Sequence, residues 1–366
     1  MSRVCIIGLD CLTPQLLFDQ YSKVLPNFES IVKKSVWGPL KSTTPPITIP
    51  AWACMVTGSS PGILGSYGFR TRKNNTYKER KLPSSLGFPV PTLWQLTSDA
   101  GLFNRILTVP QTYPALPLQG ELIAGFPIAD PCGPTSYPRN LGQSIKDKFP
   151  DFQVDIEDYR TRSPKDVLAE IHRMTNARFQ VAEHWLRQDD WSLFMMVEMG
   201  PDRLHHIFWH YAQPDHPDFV PEHSMRFAIR DYYILLDSWL GKLTKHLRPN
   251  DLLLIVSDHG AQTMKGGFAI NQWLVDNGYL ALLDEHPRSG PLQLDLVDWA
   301  RTKMWADGGY VGRIYFNIEN REPKGTITEQ DAQTMSLQLQ KQWSSLLDRN
   351  GTQLNIKVLS PTQAYG

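Results

Sequence analysis

The sequence has no net charge: 37 Lys and Arg balance 37 Asp and Glu, giving a formal charge of +0. Such a chain has no basic field for a nucleic-acid polymer and no acidic tail, so no nucleic-acid partner is expected. A phosphorylated ligand would have to be captured by local charge, such as a metal ion, rather than by the whole surface. Cysteine is scarce. Cys5, Cys11, Cys54 and Cys132 are scattered, which fits neither a disulfide framework nor a cysteine-based metal module. No stretch is long and apolar enough to span a bilayer. The opening Met-Ser-Arg runs into a strand-like segment without the h-region of a signal peptide. The expectation is a cytoplasmic protein with reduced thiols and no membrane partner. Internal repeats and low-complexity tracts are also missing.

What is present is an α/β pattern. With 366 residues, 41% hydrophobic and 20% charged, the chain suits one large α/β domain or a core carrying an inserted cap. Residues 3–9 (RVCIIGL) read as a buried parallel strand with Asp10 at its end. A helical stretch is expected from Pro14 to Lys34, then a Pro/Thr-rich loop at 42–50, then a helix opening near Pro50 and stopping at Gly58. Residues from 60 to about 165 have weak periodicity and read as loops and a peripheral insert. Core-like pattern resumes with a helix at 164–187, a buried strand at 191–199, helices at 202–211 and 221–247, and LLLIVS (252–257) as the clearest buried strand. A further helix is expected within 268–280. Strands separated by helices imply a parallel sheet covered on both faces.

Three strands thus end in metal-capable residues: Asp10, the Asp202 region, and Asp258-His259. Ligands of open parallel sheets gather outside the carboxyl ends of the strands. Carboxylate plus imidazole suits zinc or manganese. Asp202 and His206 are four apart, on one face of a helix, and can share one ion. Asp258 and His259 are adjacent, and Gly260 permits the turn that would let both bind. Thr48 sits at a helix start, where a hydroxyl meets the positive end of the dipole. A bound cation would turn this weak nucleophile into a strong one, and two cations could clamp an in-line displacement at phosphorus.

The segments IIGLD, TTPPITIPAWACMVTG with GILGSYGF, GPDRLHHIFWHY, VSDHG and FAINQWLVDNGYL occur in an order that resembles the type I phosphodiesterase/nucleotide pyrophosphatase branch of the alkaline phosphatase superfamily. VPQTYPALP (109–117) and GRIYFNIENREPKG (312–325) extend the resemblance over nearly the whole chain. It implies an alkaline-phosphatase-like three-layer α/β/α sandwich with a mostly parallel sheet. The expected organisation is a single domain, 1–366, with a peripheral insert at about 66–165. The resemblance also implies two divalent metal ions, zinc or alternatively manganese. Asp10, Thr48, Asp258 and His259 would hold one, with Thr48 as the phosphorylated nucleophile; Asp202 and His206 would hold the other. The implied substrate is a small phosphodiester or a nucleotide pyrophosphate.

The family has one more histidine, beyond a Tyr-Gly-like stretch that this chain reaches at TQAYG. The resemblance therefore implies a missing C-terminal portion and, with it, a separate C-terminal fragment as a possible partner. Leu64 stands where relatives often carry histidine, at a position that does not bind metal. The alternatives are an inactive or split remnant, or a phosphomonoesterase or phosphonate hydrolase on the same scaffold; mutase relatives use serine where this chain has Thr48. The sulfatase pattern is not met, since Cys132-Gly133-Pro134-Thr135-Ser136 lacks the arginine.

Taken singly, each of these residues has a plainer role. Asp10 and Asp202 suit helix caps, Thr48 a loop, Asp258-His259-Gly260 a turn, and His206 a satisfied core position. Their ordered co-occurrence favours function. His205, His210, His216, His223 and Cys54 keep the plainer reading; His210, eight residues from Asp202, is a weak stand-in for the absent histidine. Trp305 and Asp307 are expected in a loop near the substrate.

Overall fold

The structure, a computed structural model, describes residues 3–283 and 290–366. The chain forms two compact units, one of Met1–Phe69 with Leu82–Lys265, the other of Arg70–Lys81 with Gly266–Gly366. Among the described residues the strands are β1 (Val4–Leu9), β2 (Thr71–Arg72), β3 (Arg80–Lys81), β4 (Asn104–Leu107), β5 (Gly120–Ile123), β6 (Ser136–Tyr137), β7 (Leu193–Glu198), β8 (Leu252–Val256), β9 (Met304–Gly308) and β10 (Gly312–Phe316). The α-helices are α1 (Pro26–Val32), α2 (Thr48–Thr57), α3 (Pro61–Leu64), α4 (Leu93–Asp99), α5 (Leu141–Lys148), α6 (Pro164–Leu186), α7 (Gly200–Ala212), α8 (Ala228–Leu243), α9 (Ile270–Asp276), α10 (Glu329–Trp343) and α11 (Pro361–Tyr365). None of the described helices is long and apolar enough to cross a membrane.

The first unit is a sheet ordered β6-β5-β4-β7-β1-β8, parallel except for β6. Its central strands β1 and β7 are apolar at nearly every position because both faces are covered. The two-residue period of a strand sends alternate side chains to opposite sides. Cys5, Ile7 and Leu9 of β1 join Phe194 and Met196 of β7 in a core with α6 and α8. Ile6 joins Met195 and Val197 in a second core with Trp52 of α2 and Trp94 of α4. The result is the expected three-layer sandwich. Gly8 is a packing requirement, because a Cβ there would lie 2.5 Å from the Trp52 ring and 2.8 Å from Val197.

One ion pair lies inside the larger core. Arg178 of α6 and Glu198, the last residue of β7, meet at 3.1 Å with both side chains 0% exposed. The Glu198 carboxylate also accepts from the Thr175 hydroxyl at 3.0 Å and from the Gly200 N–H at 2.8 Å. It therefore fixes the first residue of α7. Arg178 donates onward to the Val154 carbonyl at 2.6 Å.

Several sequence expectations change. The helical stretch at 14–34 is broken into a π-turn at Gln15–Gln20, a 3-10 turn at Ser22–Val24 and α1; Pro26 lacks an N–H and starts a new helix instead of continuing one. The 221–247 helix begins only at Ala228. β8 is an edge strand, with Leu252 61% and Leu254 43% exposed, because an apolar run does not specify how many neighbours a strand will have. The stretch from 60 to 165, read as loops and insert, supplies β4, β5 and β6 to the sheet. These strands are two to four residues long, too short for an alternation to show.

The second unit pairs β9 with β10 and β2 with β3, both antiparallel. Tyr77 stacks on Trp299 at 3.7 Å between ring centres, and Trp305 closes on both edge-on. Trp305 and Asp307 thus lie on a strand rather than in the expected loop, Trp305 in an aromatic core and Asp307 3.2 Å from Arg80.

Removing one partner of the Arg178–Glu198 pair leaves a buried charge uncompensated, at a cost of about 3–5 kcal/mol. Arg178→Met is expected to lower unfolding stability by that order in urea titrations. Adding Glu198→Gln to Arg178→Met should recover part of the loss; equal stability of Arg178→Met and the parent would contradict the assignment.

Candidate metal centre

β7, β1 and β8 are neighbours in the sheet, so their carboxyl ends lie side by side. Asp10 follows the last residue of β1. Asp258 and His259 follow β8. β7 leads through Glu198 into α7, whose first turns carry Asp202 and His206. Thr48 is the first residue of α2.

Asp10, Asp258 and His259 offer ligand atoms that all lie within 4.8 Å of one another. His259 Nε2 is 3.7 Å from Asp10 Oδ1 and 3.3 Å from Asp258 Oδ2. The Thr48 hydroxyl is 3.2 Å from the same nitrogen and 3.5 Å from Asp10 Oδ1. His259 Nδ1 lies 3.2 Å from the Gly260 carbonyl, which assigns the ring proton to Nδ1 and leaves the Nε2 lone pair facing the group. On α7, His206 Nε2 is 3.5 Å from Asp202 Oδ2, the i,i+4 pairing read from the spacing. All six expected residues therefore lie at this end of the sheet, Thr48 beside the group of Asp10, Asp258 and His259, and Asp202 and His206 paired on α7.

The electrostatics of the group suit a cation. Burial raises the Asp10 carboxyl well above the ordinary range, and Asp258 and Asp202 raise it further. Burial pushes Asp258 up to about 7, against the pull of the Cys11 N–H, which donates to Oδ1 at 3.0 Å. Asp258 Oδ2 is buried with no hydrogen-bond partner. Burial lowers the affinity of His206 for a proton, although Asp202 opposes this. An orphaned carboxylate oxygen, a neutral imidazole nitrogen and mutually repelling acids fit a divalent cation.

Three further residues shape the centre, and the sequence reading passed over them. Trp52 donates its indole N–H to Asp10 Oδ2 at 2.7 Å. Arg203 donates to Asp202 Oδ2 at 2.6 Å and is held by Asp155 at 2.8 and 2.6 Å. Cys11 forms a second close group with Asp202 and His259. Adjacency to Asp10 and Asp202 was the available signal for Cys11 and Arg203; nothing local marks Trp52. His210 packs its ring against Tyr211 at 3.8 Å and is in neither ligand group found among the described residues.

Residues 4–363 match the family model described as type I phosphodiesterase / nucleotide pyrophosphatase. The chain belongs to this family. Comparison with curated protein sequences gives no match. Among solved structures, the family member is similar to phosphonoacetate hydrolase from Sinorhizobium meliloti 1021 in complex with phosphonoacetate. The identity is 13% and the TM-score 0.53, covering 94% of this chain and 73% of that one. The same enzyme in complex with phosphonoformate aligns at 16% identity and a TM-score of 0.44, over 71% of this chain and 56% of that one. The chain thus spans little more than half of that relative in one alignment and about three quarters in the other. The alkaline-phosphatase-like fold expected from the sequence is the one found.

Asp258 gives a pH test on the metal-free protein. Its folded value of about 7 exceeds the ordinary carboxylate value of about 3.9. Between those values the folded state keeps a proton that the unfolded chain has released, so stability is lost as pH rises through the window. In chelator, unfolding midpoints should fall from about pH 4 to about pH 7, and Asp258→Asn should flatten the fall. Identical slopes in parent and Asp258→Asn would show that Asp258 does not titrate in this way.

Proposed function

We propose that this family member is a metal-dependent phosphoester hydrolase of the phosphodiesterase/nucleotide pyrophosphatase type, working through a phosphothreonine on Thr48. The observation that carries the reading is the Thr48 hydroxyl, buried and 3.2 Å from His259 Nε2, beside Asp10. Divalent cations, one held by Asp10, Thr48, Asp258 and His259 and one by Asp202 and His206, would lower the pKa of the hydroxyl and neutralise charge building on the phosphoryl oxygens. Zinc is favoured over manganese by the imidazoles in each set.

Thr48 Oγ attacks phosphorus in line, the bond from phosphorus to the leaving alkoxide breaks, and the alcohol departs with a proton. Water then attacks the phosphothreonine, and the P–O bond to Thr48 breaks to restore the hydroxyl. The start of α2 places the positive end of the helix dipole beside the reacting group. Trp52 holds Asp10 in place through its indole N–H, and Arg203 does the same for Asp202, so both carboxylates keep their orientation through the cycle.

The expected single catalytic domain is part of this proposal, and the residues named for chemistry all belong to the first unit. Four free cysteines support a cytoplasmic site of action.

The test is turnover of an aryl phosphodiester with added Zn²⁺ or Mn²⁺. Thr48→Ala should lower kcat by roughly a thousandfold or more, and Thr48→Ser should keep part of the activity. Folded parent protein with turnover no greater than Thr48→Ala would overturn the reading. A phosphomonoester or phosphonate turned over faster than the diester would move the substrate class while keeping the nucleophile.

A further inference from the structure

We propose that Cys11 is a thiolate ligand to the cation held with Asp202, and that it makes the centre selective for zinc. The inference rests on the metal-centre reading above but adds a ligand of a different chemical kind. Cys11 Sγ, an Asp202 carboxylate oxygen and a His259 ring nitrogen all lie within 4.8 Å of one another. Asp258 Oδ2, buried and without a hydrogen-bond partner, lies 3.3 Å from His259 Nε2.

The backbone of Cys11 is held in place. Its N–H donates to Asp258 Oδ1 at 3.0 Å and its carbonyl accepts from the Thr13 hydroxyl at 3.2 Å. The residue sits at φ 61, in the left-handed region where glycine is free and a side chain costs about 1–2 kcal/mol. A side chain is thus carried at this position against a backbone cost, beside a cluster of metal-capable groups.

A hydrogen-bond chain behind the sulfur points the same way. The Thr13 N–H donates to the Tyr233 hydroxyl at 3.2 Å, and that hydroxyl lies 3.3 Å from His205 Nε2. Tyr233 accepts from Thr13 and so directs its own hydrogen at Nε2. With that hydrogen directed at Nε2, the His205 proton sits on Nδ1, 3.5 Å from Cys11 Sγ. In this tautomer the sulfur would receive an N–H from a buried imidazole, the outer contact that steadies a ligating thiolate. On binding, the thiol proton leaves to solvent and sulfur takes its place on the ion. Thiolate sulfur favours zinc and cadmium, while manganese and magnesium favour oxygen.

The experiment uses the full 366-residue chain, stripped with chelator and titrated with one equivalent of Cd²⁺. An ultraviolet cadmium–thiolate charge-transfer band is expected. It should disappear in Cys11→Gly, which suits the left-handed backbone and should fold as the parent does by circular dichroism. It should persist in Cys132→Ser, which removes the exposed thiol. Zinc affinity should fall by about tenfold or more in Cys11→Gly, with manganese affinity unchanged. Cadmium retained by the parent without the band, or a band that survives in Cys11→Gly, would overturn the thiolate ligand while leaving the metal centre standing. Failure of the folded parent to retain Zn²⁺, Mn²⁺ or Cd²⁺ would overturn both.

Discussion

Three carboxylates held out of water at the ends of adjacent strands set the terms for the rest of this molecule. Asp10, Asp202 and Asp258 are all buried; the charges of Asp258 and Asp202 raise the Asp10 carboxyl, and that of Asp202 raises Asp258. Two like charges about 4 Å apart repel by about 4 kcal/mol at an effective dielectric constant of 20. That is comparable to the whole stability of a typical domain, about 5–15 kcal/mol. The cluster must be neutralised, either by protons, as the raised values of Asp10 and Asp258 indicate, or by cations. Cations leave the oxygens available as ligands, and protons do not.

The surroundings hold these groups in place against that repulsion. Each acid is tied by a donor from a different element: Asp10 by Trp52 of α2, Asp258 by the Cys11 amide, and Asp202 by Arg203. Trp52 reaches Asp10 because Gly8 leaves space on β1 for its ring. The start of α7, which carries Asp202 and His206, is fixed from below by Glu198, whose own charge is balanced by Arg178. Packing, backbone and ion pairing in the first unit thus converge on the geometry of one small region.

The second unit is organised differently. Its centre is aromatic, with Tyr77, Trp299 and Trp305 in mutual contact, and Asn317 bridges three backbone carbonyls through its amide nitrogen. It holds Trp305 and Asp307 in fixed positions on β9, one by burial and one by Arg80.

Local sequence carries the candidate site and much of the frame. Asp10 after an apolar run, the four-residue spacing of Asp202 and His206, and Asp258-His259 before Gly260 are local patterns, and the order of the motifs disclosed the family. β1 and β7 are legible as continuous apolar runs, and α6 as a helix long enough for its period to show. Tertiary structure alone decided the rest. The strands at 104–137 are too short to carry a pattern; they become strands because neighbours offer hydrogen bonds. β8 is as apolar as β7, and its place at the edge depends on which strands pair. Trp52, Arg203 and Cys11 lie at the centre because of where α2, α7 and the turn after β1 meet, a long-range coincidence in space that no local spacing encodes.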